Sequence, residues 1–173
     1  IIHIGQGVKI SKSIDVIKQY IQKHKIPIST TWNATDMISS DNEYFIGRPG
    51  AFAERGANIN IQNCDFYLSI GSRLPFMVTG YNVKDFARNA YKVMVDIDEK
   101  ELNSKHDFMD LLICSDGLDF INKLVNLTPK DFEIDGQWIN DCQNLRKKYP
   151  ILTPEALNEK GWVNSYYFIT KLS

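Results

Sequence analysis

The chain has 173 residues, of which 43% are hydrophobic, and its 20 Lys and Arg against 21 Asp and Glu leave a formal net charge of −1. That balance carries no basic footprint for nucleic acid or an anionic membrane surface, and the length suffices to bury one full domain core. No apolar run approaches a membrane span, and the first residues lack the charged-then-apolar layout of a signal peptide.

Ile1 to Ile4 is a short apolar strand, and Gly5-Gln6-Gly7 after it permits a tight turn and close approach of a phosphate to backbone N–H groups. Ile10, Ile14, Ile17 and Ile21 recur at helical spacing, with Ser11 or Ser13 as N-cap. His24, at the end of that helix, reads as a surface imidazole near the negative dipole end. Ile26 to Thr31 is a second strand, and Pro27 gives it an edge position or a strand start. Asn33 to Glu43 is a polar, irregular loop, and Gly47-Arg48-Pro49-Gly50 a turn. In AFAERGANINIQNC, Phe52, Ala53, Ala57 and Ile61 fall near one helical face, where small residues let a helix press close to the sheet.

Phe66 to Ile70 and Val93 to Ile97 are two buried strands joined by a crossover. They place Gly71, Ser72, Arg73, Asp96 and Asp98 at carboxyl ends, where an open parallel sheet carries its binding crevice. Asp110 to Cys114 is a further strand, and Ser115-Asp116-Gly117 opens a helix from Leu118 to Leu127 with Phe120, Ile121, Leu124 and Val125 inward. Another helix around Gln137 to Lys147 brings Trp138, Cys142 and Leu145 to one side, and from Pro150 to Gly161 the pattern lapses into linker. Five or six strands alternating with helices specify an α/β fold with a parallel sheet. The abrupt apolar start and a helix begun at NSYYFITKLS read as cuts through a longer protein.

The three cysteines, Cys64, Cys114 and Cys142, form no CxxC pair. Cys64 and Cys114, beside or within apolar strands, read as small buried thiols, and a reducing cytoplasm is the expected compartment. The dinucleotide fingerprint fails, because Ile10 occupies its third glycine position and Thr31 and Trp32 stand where a ribose-binding acid belongs. His3, His24 and His106 are scattered, which leaves no metal-ligand motif, and no GxSxG elbow is present. Arg73 is the one cation well placed for an anion, or else it pairs with Asp96 or Asp98. Those two carboxylates flank Ile97 on one side of an extended chain, as ribose-hydroxyl acceptors or as helix N-caps for EKEL.

The run GSRLPFMVTGYNVKDFARNAYKVMVDIDEKEL, with IGQG, IPISTTW, YFIGRPGAFAERGANINIQNCDFYLSIGSR and LLICSDG, resembles the central domain of thiamine-diphosphate-dependent enzymes of the acetohydroxyacid synthase type. The resemblance implies a three-layer, Rossmann-like domain over residues 1–148, with a six-stranded parallel sheet flanked by helices. Residues 149–173 would be a linker toward a C-terminal cofactor domain. It also implies a homo-oligomeric parent, a carboligase or decarboxylase of 2-keto acids. Thiamine diphosphate and magnesium would then lie between other domains and not on this segment, which would hold no catalytic residue and be inactive alone.

In flavin-containing members this domain holds FAD. By matching position the contacts would be Gly5, Gln6, Gly7, Thr31, Trp32, Gly47 to Gly50, Gly71, Arg73, Asp96, Ile97, Asp98, Ser115 and Asp116. Two departures weigh against FAD: Leu74-Pro75-Phe76-Met77 is apolar where flavin-binding synthases carry acids and a second arginine, and Ser115 replaces a glycine. The alternative function is an adenine-nucleotide module binding FAD or ADP, with Arg73 at phosphate and Asp96 or Asp98 at ribose.

Overall fold

The computed structural model describes residues 1–158 and 160–172. Five parallel strands, β1 (Ile2–Ile4), β2 (Ile28–Thr30), β3 (Phe66–Ile70), β4 (Tyr91–Asp96) and β5 (Leu111–Cys114), lie in the order β2-β1-β3-β4-β5. Chain order therefore reverses between β1 and β3, the switch point at which doubly wound sheets open a crevice. The helices are α1 (Gln6–Ile10), α2 (Ile14–His24), α3 (Arg55–Asn63), α4 (Phe76–Thr79), α5 (Glu99–Asn103), α6 (Gly117–Leu127), α7 (Gly136–Lys148), α8 (Pro154–Asn158) and α9 (Ser165–Leu172). No helix among the described residues is long and apolar enough to cross a membrane.

Side-chain alternation along the strands divides the core in two. Ile2, Ile4, Leu68, Ile70, Val93 and Val95 face α2 and α6 through Ile17, Ile21 and Ile121. Tyr67 and Met94 face the other way, toward Ile61 of α3, Leu102 of α5 and Cys142 of α7. On that second face one rung is polar: His3 sits in register with Ser29 on one side and Ser69 on the other. All three are fully buried, His3 Nδ1 is 2.8 Å from Ser29 Oγ, and burial pushes the imidazole pKa down to about 3.

The sheet has five strands where the resemblance implies six. Tyr44 to Ile46 approach β2 as a stub: the Ile28 N–H donates to the Tyr44 carbonyl at 2.8 Å and the Ile46 N–H to the Ile28 carbonyl at 2.9 Å, around one parallel bridge at Phe45. Gly47 then turns away at φ 100°, which ends the pairing after that bridge.

Other expectations also need correction. The Ile10-to-Ile21 helix is two helices. Lys12 adopts φ 58° and the Ser13 hydroxyl bonds the Val8 carbonyl at 3.2 Å, so local side-chain bonding breaks the helix and Ile10 is left exposed. Phe52 precedes α3 and is exposed; Ala57 and Ile61 are buried, Ile61 in the core cluster with Tyr67 and Met94 of the sheet, and Gly56 presses α3 against the backbone of α7 at Leu145 and Arg146 as well. The polar Asn33-to-Glu43 segment buries Ala34, Met37 and Ile38, which pins it to the core. His24 is buried, not on the surface: its Nδ1 donates to the Phe132 carbonyl at 2.6 Å and its ring lies against Tyr20 and Phe132. Cys64 is buried as expected, whereas Cys114, at the end of an edge strand, is exposed.

Candidate functional site

Glycines build the switch point. The Gly5 N–H donates to the Ile70 carbonyl and the Gly7 N–H to the Gly71 carbonyl, both at 3.0 Å, while the Gly71 N–H reaches the Val95 carbonyl at 2.9 Å. A Cβ on Gly5 would stand 2.6 Å from Ser72 Cα, and one on Gly7 2.7 Å from Gly71 Cα. Their lack of side chains thus lets two loops touch backbone to backbone, and two amides of the turn are committed inside the protein rather than offered to a phosphate.

Above this seam lies a crevice of about 520 Å³, lined by Gly5, Gln6, Thr31, Trp32, Gly71 and Arg73 with Glu101 and Lys105 at one side and Pro75, Met77 and Val78 at the other. Arg73 bonds Glu101 through Nε at 2.8 Å and also through Nη2. That bond and the charge of Glu101 hold the guanidinium pKa above its ordinary value, with Asp98 and Asp96 contributing less. The partner of Arg73 is therefore Glu101, not Asp96 or Asp98. Glu101 follows Asp98 by three positions on α5, so the acidic run DIDEKE already contained the signal. Gln6 Oε1 is buried with no hydrogen-bond partner among the described residues.

The remaining candidate positions lie outside that lining. Gly7 is spent in the seam. Asp98 caps α5 by accepting from the Lys100 N–H at 2.9 Å, and Asp96 Oδ1 accepts from the Asp98 N–H at 3.0 Å, so the cap alternative holds for Asp98. Ile97 is 70% exposed at the β4 tip. Asp116 caps α6, accepting from the Leu118 and Asp119 N–H groups at 2.8 and 3.3 Å, and the Ser115 hydroxyl donates to the Asp116 carbonyl. Gly47 packs on Glu54 and Ala57, and Gly50 exchanges two hydrogen bonds with the Asn58 amide. Both belong to a loop that borders a different cleft, beside Arg48.

The crevice offers neither a nucleophile with a base nor a paired acid and base. Among the described residues no three His, Cys, Asp or Glu side chains converge as metal ligands. A flavin diphosphate meets a depleted site: the Gly5, Gly7 and Gly71 amides are occupied and Arg73 is already paired with Glu101. The apolar wall of Trp32, Pro75, Met77 and Val78 suits a ring better than a charge.

Residues 1–124 match the family described as thiamine pyrophosphate enzyme, central domain. The chain belongs to that family. As a thiamine pyrophosphate enzyme central domain it is similar to the acetolactate synthase large subunit of Porphyra purpurea, 30% identical over 159 residues, which is 90% of this chain and 27% of that protein. It also resembles the acetolactate synthase large subunit of Lactococcus lactis, at 27% identity over 150 residues, covering 87% of this chain and 26% of the relative. Acetolactate synthase isozyme 2 large subunit of Escherichia coli is 28% identical over 102 residues, 59% of this chain and 18% of its own length. The central domain thus spans about a quarter of the length of the first two relatives. The family match ends within α6, so α7, α8 and α9 lie beyond it.

Proposed function

We propose that this chain is the central, largely structural domain of a cytoplasmic thiamine-diphosphate-dependent enzyme that joins or decarboxylates 2-keto acids, as the names of its acetolactate synthase relatives suggest. Residues 1–148 form the domain and 149–173 lead toward a further domain. Its partners are the other domains of the same chain and a second copy. The cofactor and its magnesium are held elsewhere, and this segment turns over no substrate alone.

One observation carries the reading: the match of residues 1–124 to a central domain, in which the Gly5, Gly7 and Gly71 amides at the switch point are spent on backbone bonds that lock the loops after β1 and β3 together. Incubation of the purified chain with pyruvate, thiamine diphosphate and magnesium is expected to release neither carbon dioxide nor acetolactate. Turnover by this chain would overturn the assignment.

A second reading, an adenine-nucleotide pocket in the same crevice, is supported by the unpartnered Gln6 Oε1 beside an apolar wall, where an adenine amino group would find an acceptor. Gly5, Gln6, Thr31 and Trp32 would hold the ring, with Gly71 and Arg73 toward phosphate. Thermal shift with ADP and FAD tests it. A shift lost in Gln6→Leu supports the pocket, and no shift with either ligand removes it.

A further inference from the structure

A second cleft, of about 540 Å³, opens between the start of α3 and the chain leaving α7. Its three cations, Arg48, Arg55 and Lys148, are gathered on two rings, and Arg146, outside the lining, shares the first of these with Arg48. Arg48 and Arg146 each hold their guanidinium carbon 5.0 Å from the Phe45 centroid, while Arg55 lies 4.7 Å and Lys148 Nζ 5.5 Å from that of Tyr149. One carboxylate, Glu54, answers the first pair, at 3.3 Å from Arg48 Nη1 and 3.8 Å from Arg146 Nε. No acid pairs with Arg55 or Lys148 among the described residues, and Arg48 Nε is buried without a partner. The one other acid in the lining, Glu155, is exposed, with its carboxyl held low by its own backbone amide and by Thr153.

Arg48, Arg55 and Lys148 line the cleft with Glu54 already shared between Arg48 and Arg146, so Arg55 and Lys148 repel one another across Tyr149, and an anion between them relieves that repulsion. Trp32 and Phe52, both exposed, add apolar rings to the lining. The volume lies within the range of small-molecule sites. We propose that this cleft binds a small organic dianion carried on a planar ring, of the aryl phosphate class. Arg55 and Lys148 grip the charged group, the Arg48 Nε–H supplies a further donor, and Trp32 or Phe52 covers the ring. The inference is independent of the scaffold reading, because it rests on side chains outside the strand-tip crevice apart from Trp32, which borders both.

Calorimetric titration of the whole chain with phenyl phosphate, inorganic phosphate and phenol tests the proposal. Phenyl phosphate should bind about tenfold more tightly than inorganic phosphate, with phenol silent at millimolar concentration and the affinity falling as salt rises. Arg55 is exposed, so Arg55→Ala leaves the fold intact; it should weaken phenyl phosphate about tenfold, and Tyr149→Leu should weaken it through loss of the platform. An unchanged unfolding midpoint for Arg55→Ala certifies the comparison, and Lys148→Ala provides a second exposed variant should that midpoint move. Absence of phenyl phosphate binding, equal affinity across these variants, or a loss caused by Arg73→Ala instead would overturn the proposal. So would preferential capture of an acidic peptide.

Discussion

Gly7 and Gly71 meet backbone to backbone, so that a Cβ on either would stand 2.7 Å from the Cα of the other. Neither loop can retreat freely, because the Gly7 N–H is bonded to the Gly71 carbonyl and the Gly71 N–H to β4. Gly7→Ala should therefore cost about 1 to 3 kcal/mol as an overpacking substitution. Gly71→Ala should cost more, about 2 to 4 kcal/mol, since its φ of 60° adds backbone strain to the clash. Urea unfolding of both variants checks the order, and equal tolerance at the two positions would count against the seam as a structural lock.

Stability should depend on His3 below neutral pH. The native imidazole stays neutral down to about pH 3 because it is buried, whereas an unfolded chain protonates it near 6.5. A folded pKa below the unfolded value means that the unfolded state binds the proton first as pH falls. This contribution is complete above pH 6.5 and is lost progressively from there toward pH 3. At pH 5 the loss relative to pH 7.5 should be about 2 kcal/mol. The double variant His3→Leu, Ser29→Ala removes both buried polar partners and should flatten this part of a urea-denaturation pH profile; an unaltered slope would falsify the assignment.

The cap at Asp116 makes a separate demand. Its carboxylate accepts two amide bonds at the start of α6, so Asp116→Ala should lower stability by about 1 kcal/mol while Asp116→Asn retains most of it. Comparison of unfolding midpoints separates this capping role from a ligand role, since a residue kept for a ligand would show no stability difference between Ala and Asn.

Thiol labelling reports on the three cysteines. Burial pushes the Cys142 thiol up to about 12 and raises that of Cys64, and both side chains are shielded, whereas Cys114 is open. A disulfide reagent near neutral pH should modify one thiol rapidly in the native protein and all three in denaturant. Fast labelling that survives Cys114→Ser would contradict the structure.

The sheet was readable because buried parallel strands announce themselves as short apolar runs: Phe66 to Ile70 coincides with β3, and the β4 and β5 assignments differ from the structure only at their ends. The α/β class with a parallel sheet followed from the alternation of strands and helices. What stayed hidden depends on contacts between distant segments. His24 looks like a surface residue by helix position, and only the passage of Phe132 across the end of α2 buries it. Gly5 and Gly7 look like a phosphate cradle until Gly71, more than sixty residues later, fills that space. Arg48 gave no hint of Arg146, because nothing local in the turn predicts that α7 delivers a second guanidinium to Phe45.

The stub at Phe45 bears on how this sheet meets other chains. On the β2 side, the bonds to Tyr44 and Ile46 use the outward N–H and carbonyl of Ile28, and the Gly47 turn then stops growth in that direction. The opposite border, β5, has no such stopper among the described residues, and its Leu111 and Cys114 are open to solvent. Of the two borders, β5 is thus the one that keeps the unpaired edge at which a further strand could add.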